Sequence, residues 1–365
     1  MKKLRVGLVG AGLVGQAEHA YYLWDDPSRF EFVGLADASA AVRSAVAARY
    51  GVRSVYADFD ELLTTGVEAV VIAAPDAFHP ALAVKAIDAG LHVLCEKPLA
   101  LTVAGCDEIA AARDRTGRAV QVAYMKRHDP AYKQALTHLP ARIEAVKLIS
   151  VEVNDPDHEP FVAHLPMTLP SDLPAGLREK ARKLTFEQLC AGAKAELGES
   201  ALRAAGNGFL SALVHDVAVV RGMVAHMGSE LPEEASQAAI FDDGRGVQLG
   251  FGLPGGGQVT MTHLNLPGVP DYTERISVYC DDRIVELVFP SPYLRHFPTQ
   301  LRVRRAGNRH ALVTIDHRVS FEEAFREQLR AFHSAAVGEA PVQTTVEEAR
   351  SDVALLTSAL ARAIA

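Results

Sequence analysis

Cysteine is scarce: the 365 residues hold only four, Cys95, Cys106, Cys190 and Cys280, and no two form a CxxC pair. That scatter excludes a disulfide framework and a zinc knuckle, and it points to a reducing compartment. Basic clusters are scarce too. No basic run is longer than a pair such as Arg304-Arg305, and 37 Lys+Arg against 45 Asp+Glu leave a formal charge of −8. Such a chain lacks the electrostatic footprint that nucleic acid or an anionic membrane demands. Nor does any apolar run read as approaching the ~18 residues that cross a bilayer. Lys2, Lys3 and Arg5 imitate the start of a signal peptide, but Gly10, Gly12 and Gly15 break the apolar stretch, and no small-residue cleavage site precedes Glu18–Asp26. The expectation is a cytoplasmic protein.

What is present is ordinary globular material, 49% hydrophobic and 22% charged, which rules out a disordered, collagenous or coiled-coil chain. At roughly 100–200 residues per domain, the length suggests two domains. In the first third, short apolar runs alternate with helical patterns, the signature of βαβ units and a parallel sheet. Strands are predicted at Leu4–Gly10, Glu31–Ala36, Val67–Ala73, His92–Cys95 and Ala119–Ala123, with helices at Gln16–Leu23, Ala40–Tyr50, His79–Ala89 and Val103–Thr116. After Arg127 the pattern becomes β-rich with period two, from Val146–Val153 through Ala311–Ile315, and turns such as Asp242-Asp243-Gly244 and Pro254–Gly257 punctuate it. The expected architecture is therefore a doubly wound parallel sheet over residues 1–127. Residues 128–365 form an α+β domain on a large, mainly antiparallel sheet with helices on one face. The other face would carry an oligomer interface. Asn154–Gly206 is the least regular stretch, with Pro156, Pro160, Pro166, Pro170 and Pro174 in its first half. It contains Asp155, Asp157, His158 and His164, whose spacing fits no zinc pattern, so a solvated loop or lid is expected there and no metal.

Gly10-Ala11-Gly12-Leu13-Val14-Gly15 fits GxGxxG, follows a strand and opens a helix inside a βαβ unit. In that context Gly10 permits the tight turn, Gly12 lets backbone approach a pyrophosphate, and Gly15 lets helix pack on strand. The pyrophosphate would sit on the N–H groups at the helix start. Asp37, 25 residues past Gly12, stands where a carboxylate accepts hydrogen bonds from adenosine ribose hydroxyls and repels a 2′-phosphate. NAD is favoured over NADP, a preference that nearby Ser39 and Arg43 soften.

At His92-Val93-Leu94-Cys95-Glu96-Lys97-Pro98 the sequence resembles the Gfo/Idh/MocA oxidoreductases, whose hallmark is Glu-Lys-Pro after a Rossmann strand. Ala74-Pro75…His79, Tyr124-Met125-Lys126-Arg127…Pro130, the His215-Asp216 pair and Phe321…Phe332 match in order and spacing, so that the resemblance covers nearly the whole chain. It implies that Lys97 contacts the substrate hydroxyl and nicotinamide ribose, and that His215 is the general acid/base. Leu13, Val14, Pro75, His79 and Glu96 would join the glycines and Asp37 in holding the cofactor, with Arg127, Ser211 and Asp216 beside Lys97 and His215 at the substrate. The chemistry is coherent: alcohol oxidation needs a hydride acceptor and a separate group to take the hydroxyl proton, and histidine carries protons near neutral pH. A lysine ammonium would lower the energy of the developing alkoxide. Ser211 departs from the family, whose sugar and cyclitol dehydrogenases typically carry Asp four residues before this His.

The resemblance thus implies an NAD-dependent oxidoreductase acting on a secondary hydroxyl of a sugar, cyclitol or related polyol, in a homodimer or homotetramer. Two alternatives share the fold: an NAD-assisted lyase, hydratase or glycosidase without net redox, and a non-catalytic dinucleotide-binding regulator.

Overall fold

The computed structural model describes residues 2–365, and the chain divides into two compact units. One comprises the residues through Tyr124 with Val162–Gln188 and Phe325–Arg350; the other comprises Met125–Phe161, Leu189–Ala324 and Ser351–Ala365. Residues 162–188 and 325–350 thus fall in the first unit, although the sequence reading groups them with the second. The reason for the later segment is visible in its bonds. The helix Ala324–Ala336 places His333 Nε2 2.7 Å from the Lys2 carbonyl oxygen, receives a 3.1 Å hydrogen bond from Gln121 at the Gln328 carbonyl, and pairs Arg326 with Asp25.

The first unit is built on six parallel strands: β1 (Leu4–Val9), β2 (Phe30–Ala36), β3 (Ser54–Tyr56), β4 (Ala69–Ile72), β5 (His92–Cys95) and β6 (Val120–Val122). Their order, β3-β2-β1-β4-β5-β6, reverses direction between β1 and β4, the switch point where open α/β sheets bind ligands. Val6, Leu8, Val70, Val71, Val93 and Leu94 are fully buried, as strands covered on both faces require. Helix boundaries follow local chemistry. Ser39 caps Ala40–Tyr50 by accepting from the Val42 N–H, Thr102 caps Val103–Thr116 by accepting from the Gly105 N–H, and Gly51 and Gly117 end these helices in the left-handed region. β3 and the helix Phe59–Leu63 escape a sequence reading because three to five residues show no periodicity.

The second unit carries β7 (Val146–Asp155), β8 (Gln237–Phe241), β9 (Gly246–Gly252), β10 (Gln258–Asn265), β11 (Thr273–Cys280), β12 (Arg283–Phe289), β13 (Gln300–Ala306) and β14 (Leu312–His317) in the order β14-β13-β12-β11-β7-β10-β9-β8. The sheet is mainly antiparallel, as expected, with one parallel seam. The first strand sits between β11 and β10 and pairs parallel with β10, because a long helical excursion separates it from β8. One face buries Ile149, Val151, Val259, Met261, Ile276 and Val278, while the alternate positions Ser150, Glu152, Thr260, Thr262, Arg275 and Ile284 are less covered. The helical run Glu199–His226 packs on this sheet so closely that a Cβ at Gly208 would meet Val247 Cγ2 at 2.7 Å. This run is long and apolar enough to cross a bilayer by length and composition, contrary to the sequence expectation, but 72% of its most apolar window is buried inside the protein. A helix apolar on all sides is one surrounded by core.

Candidate functional site

The glycine turn has the geometry its spacing implies. Gly10 adopts φ +85°, and a Cβ there would lie 2.6 Å from the Ala73 carbonyl oxygen. A Cβ on Gly15 would lie 2.6 Å from the Gly10 carbonyl oxygen, so the helix start rests directly on the turn. Gly12 differs, since no protein atom lies within 4 Å of its added Cβ. That open cradle fits a dinucleotide whose pyrophosphate approaches the backbone.

Asp37 joins the turn to the next helix. Its Oδ2 accepts from the Ala11 N–H at 2.8 Å and its Oδ1 from the Ser39 N–H at 2.8 Å. A carboxylate fixed in this way keeps lone pairs for ribose hydroxyls. Gly10, Gly12, Leu13, Val14, Asp37, Pro75, Glu96 and Lys97 all line one cavity of about 780 Å³ within the first unit. Two of the expected cofactor residues do not. Gly15 acts through packing, and His79 is fully buried, with its two ring nitrogens 2.8 Å from the Pro98 carbonyl oxygen and 2.9 Å from the Ala74 carbonyl oxygen. His79 therefore props the Lys97-Pro98 turn, whose peptide bond is cis, rather than touching a cofactor.

Glu96 needs a partner that the sequence reading does not name. Its Oε1 lies 2.7 Å from Nε2 of the fully buried His19, and its Oε2 accepts from the Lys97 N–H at 3.1 Å. Burial alone would raise this carboxyl, yet the His19 hydrogen bond and the His19 and Lys97 charges outweigh it and hold the group below the usual carboxylate range. The signal for His19 was indirect: a carboxylate on a buried strand end cannot stay unpaired.

The remaining candidates stand in the second unit. Ser211 and His215, half-buried, lie where π-helical winding over Ala204–Leu213 gives way to the α-helix Val214–His226. The 3.6-residue winding of an α-helix is therefore interrupted at Ser211, in the kind of local widening that often accompanies functional sites. Arg127 donates to the Ala218 carbonyl at 3.1 Å and stacks 5.9 Å from the Tyr132 ring centroid, which ties this helix to the turn Met125–His128.

Asp216 is not at an open surface. It is buried in a cluster in which Lys126 pairs with Glu274 and the Tyr272 hydroxyl donates to the same Glu274 oxygen. Burial first, then the Glu274 charge, push the Asp216 carboxyl well above its ordinary range, against the pull of Lys126. A substrate role for Asp216 is corrected to an interior one, since a helix residue adjacent to His215 turns about 100° away from it. Lys126, Tyr272 and Glu274 were not legible as a group because β11 brings the last two from far along the chain. His128 is buried as well, and burial, then Lys133 and Arg127, lower it to about 3. Among the described residues no group of three or more His, Cys, Asp or Glu converges to hold a metal.

Fold and cradle together define a dinucleotide-binding Rossmann unit joined to a large mixed-sheet unit. Residues 4–124, about a third of the chain, match the Gfo/Idh/MocA family model, described as an oxidoreductase family with an NAD-binding Rossmann fold. It is 45% identical over 132 residues to inositol 2-dehydrogenase 1 of Saccharopolyspora erythraea, covering 35% of this chain and 39% of that enzyme. Inositol 2-dehydrogenase of Salmonella typhimurium is 36% identical over 134 residues, 36% of this chain and 40% of that enzyme. The match thus spans about two-fifths of these curated relatives. Among solved structures, myo-inositol 2-dehydrogenase from Lactobacillus plantarum has TM-score 0.71 at 19% identity, covering 100% of this chain and 98% of that one. Aldose-aldose oxidoreductase from Caulobacter crescentus has TM-score 0.71 at 16% identity, covering 96% and 95%. These two likenesses extend the shared fold over both units.

Proposed function

We propose that the protein is an NAD-dependent oxidoreductase that moves a hydride between nicotinamide and a secondary hydroxyl or ketone of a sugar, cyclitol or related polyol. One observation carries the reading: the open cradle at Gly12, the ribose-side carboxylate Asp37 and the amine-bearing Lys97 line a single cavity at the sheet's switch point. Bound nicotinamide supplies the hydride acceptor. The protein's own residues do the rest. The backbone of Gly12–Val14 receives the pyrophosphate, Asp37 accepts from the ribose, and Lys97 stabilises negative charge on the reacting oxygen. His215 takes the hydroxyl proton, and Ser211 and Arg127 serve the substrate. Relatives named inositol 2-dehydrogenase support the polyol class, and the few, unpaired cysteines support a cytoplasmic setting.

The open face of the β7–β14 sheet is the proposed surface of a homodimer or homotetramer. A second reading, in which tightly held NAD cycles without net redox during elimination, hydration or hydrolysis, is favoured by Ser211. A hydroxyl cannot supply the negative charge that the family's Asp brings to this helix. Incubation with NAD and a panel of sugars, cyclitols and glycosides, following NADH absorbance and substrate loss together, tests both. Matched NADH and substrate loss establishes the dehydrogenase; substrate loss without NADH establishes the second reading. No loss of any polyol together with firm NAD binding would leave a regulator.

A further inference from the structure

The proline-rich stretch that the sequence left irregular is a fixed strap on the nucleotide cavity. Gln16, buried at the start of the first helix, clasps Thr168 twice: its Nε2 donates to the Thr168 carbonyl at 2.9 Å, and its Oε1 accepts from the Thr168 N–H at 3.0 Å. At the far end Gln188 donates to the Ala77 carbonyl at 3.0 Å. Between these anchors Pro170, Leu173 and Leu177 form part of the cavity wall.

The strap's latch is Asp172. The Ser39 hydroxyl donates to its Oδ1, and the Ala41 N–H donates to its Oδ2 at 3.0 Å. These donors stand at the N-terminus of the helix after β2, two and four residues beyond Asp37. There the positive end of the helix favours an anion, and a 2′-phosphorylated ribose places its phosphate just past the acidic position. Two arginines of these segments hold backbone carbonyls: Arg43 donates to the Asp37 carbonyl, and Arg178 donates to the Pro170 carbonyl at 3.1 Å.

We infer that Asp172 sets cofactor choice, because its carboxylate occupies the donors that a ribose 2′-phosphate would need. A 2′-phosphorylated dinucleotide has to expel Asp172 and open the strap, whereas a dinucleotide with a free 2′-hydroxyl binds under a closed one. This inference rests on the dinucleotide reading above and goes beyond Asp37, since it places the discrimination in a segment more than a hundred residues away in sequence.

The test is direct binding of NADH and NADPH, by nucleotide fluorescence, to the full chain and to its Asp172→Asn and Asp172→Ala variants. Limited trypsin cleavage within the strap, at Arg178, Lys180, Arg182 and Lys183, is followed in parallel. The wild-type protein is expected to prefer NADH, and NADH but not NADPH should slow cleavage. Both variants should narrow the NADH preference by about tenfold, mainly through tighter NADPH, because one anion no longer faces another. Wild-type selectivity unchanged within about twofold in both variants would overturn the role of Asp172 while leaving the dinucleotide reading intact. A wild-type protein that binds neither nucleotide would overturn both.

Discussion

Lys97 and the three glycines separate binding from chemistry at the scale of single residues. Lys97→Ala removes the ammonium but leaves the Gly12 cradle and Asp37 in place, so turnover should fall by about 100-fold or more while NADH affinity changes little. Steady-state kinetics beside a fluorescence titration decides this, and full activity in the variant would remove Lys97 from the mechanism. Gly12→Ala and Gly10→Ala make a matched pair. At Gly12 the added methyl meets no protein atom, so thermal unfolding should stay near wild type while NADH binding weakens by about tenfold or more. At Gly10 the same methyl lies 2.6 Å from a carbonyl oxygen at φ +85°, so the variant should lose stability by about 1–3 kcal/mol. Equal melting of the two variants would contradict the assignment of separate roles. The glycine spacing and Asp37 were readable from sequence because short-range geometry fixes them, whereas Glu-Lys-Pro was readable only through the family resemblance. The His19 partner of Glu96 was not, since nothing local marks a buried histidine as paired.

Elements explain which titrations matter to stability. His128 ends the turn Met125–His128, and its buried ring is lowered to about 3 from an ordinary 6.5. The folded state therefore binds that proton far more weakly than the unfolded chain does. Its contribution is present above pH 6.5 and is lost progressively as pH falls toward about 3. His128→Leu, which cannot charge, should retain on the order of 2 kcal/mol more of its neutral-pH stability than wild type at pH 4.5, as read by urea unfolding at pH 7 and 4.5. Parallel loss in both proteins would place acid sensitivity elsewhere. Several helices and strands are legible from periodicity and caps, among them Ala40–Tyr50, His92–Cys95 and Val103–Thr116, each within a residue of its observed bounds. The π-helical winding through Ser211 was hidden because the apolar pattern of this run fits an ordinary α-helix equally well, and the close approach of Gly208 to Val247 joins residues that no sequence window contains.

On the scale of the whole molecule, the broad sheet bears the remaining prediction. Its open face mixes Ile284 and Val288 with the ion pairs Arg275–Glu152 at 3.3 Å and Arg304–Glu286 at 3.4 Å. A surface of that kind suits a self-complementary interface, with an apolar centre and charges that fix register. Light scattering on the eluted protein should give a dimer or tetramer, and Ile284→Glu combined with Val288→Glu should shift it to monomer without altering its far-UV circular dichroism. A wild-type monomer at micromolar concentration would exclude this interface.

By itself the sequence determined the two kinds of sheet, the nucleotide turn and the acidic residue at the end of β2, because apolar period and glycine placement act over a few residues. Tertiary structure alone decided that the first strand of the second sheet pairs parallel with β10, that Asp216 turns inward to Lys126 and Glu274, and that a proline-rich stretch lies over the nucleotide cavity with Asp172 at a helix start. Each of these joins groups far apart in the chain. Their partners are selected by burial and charge once the chain has collapsed, and no local pattern encodes them.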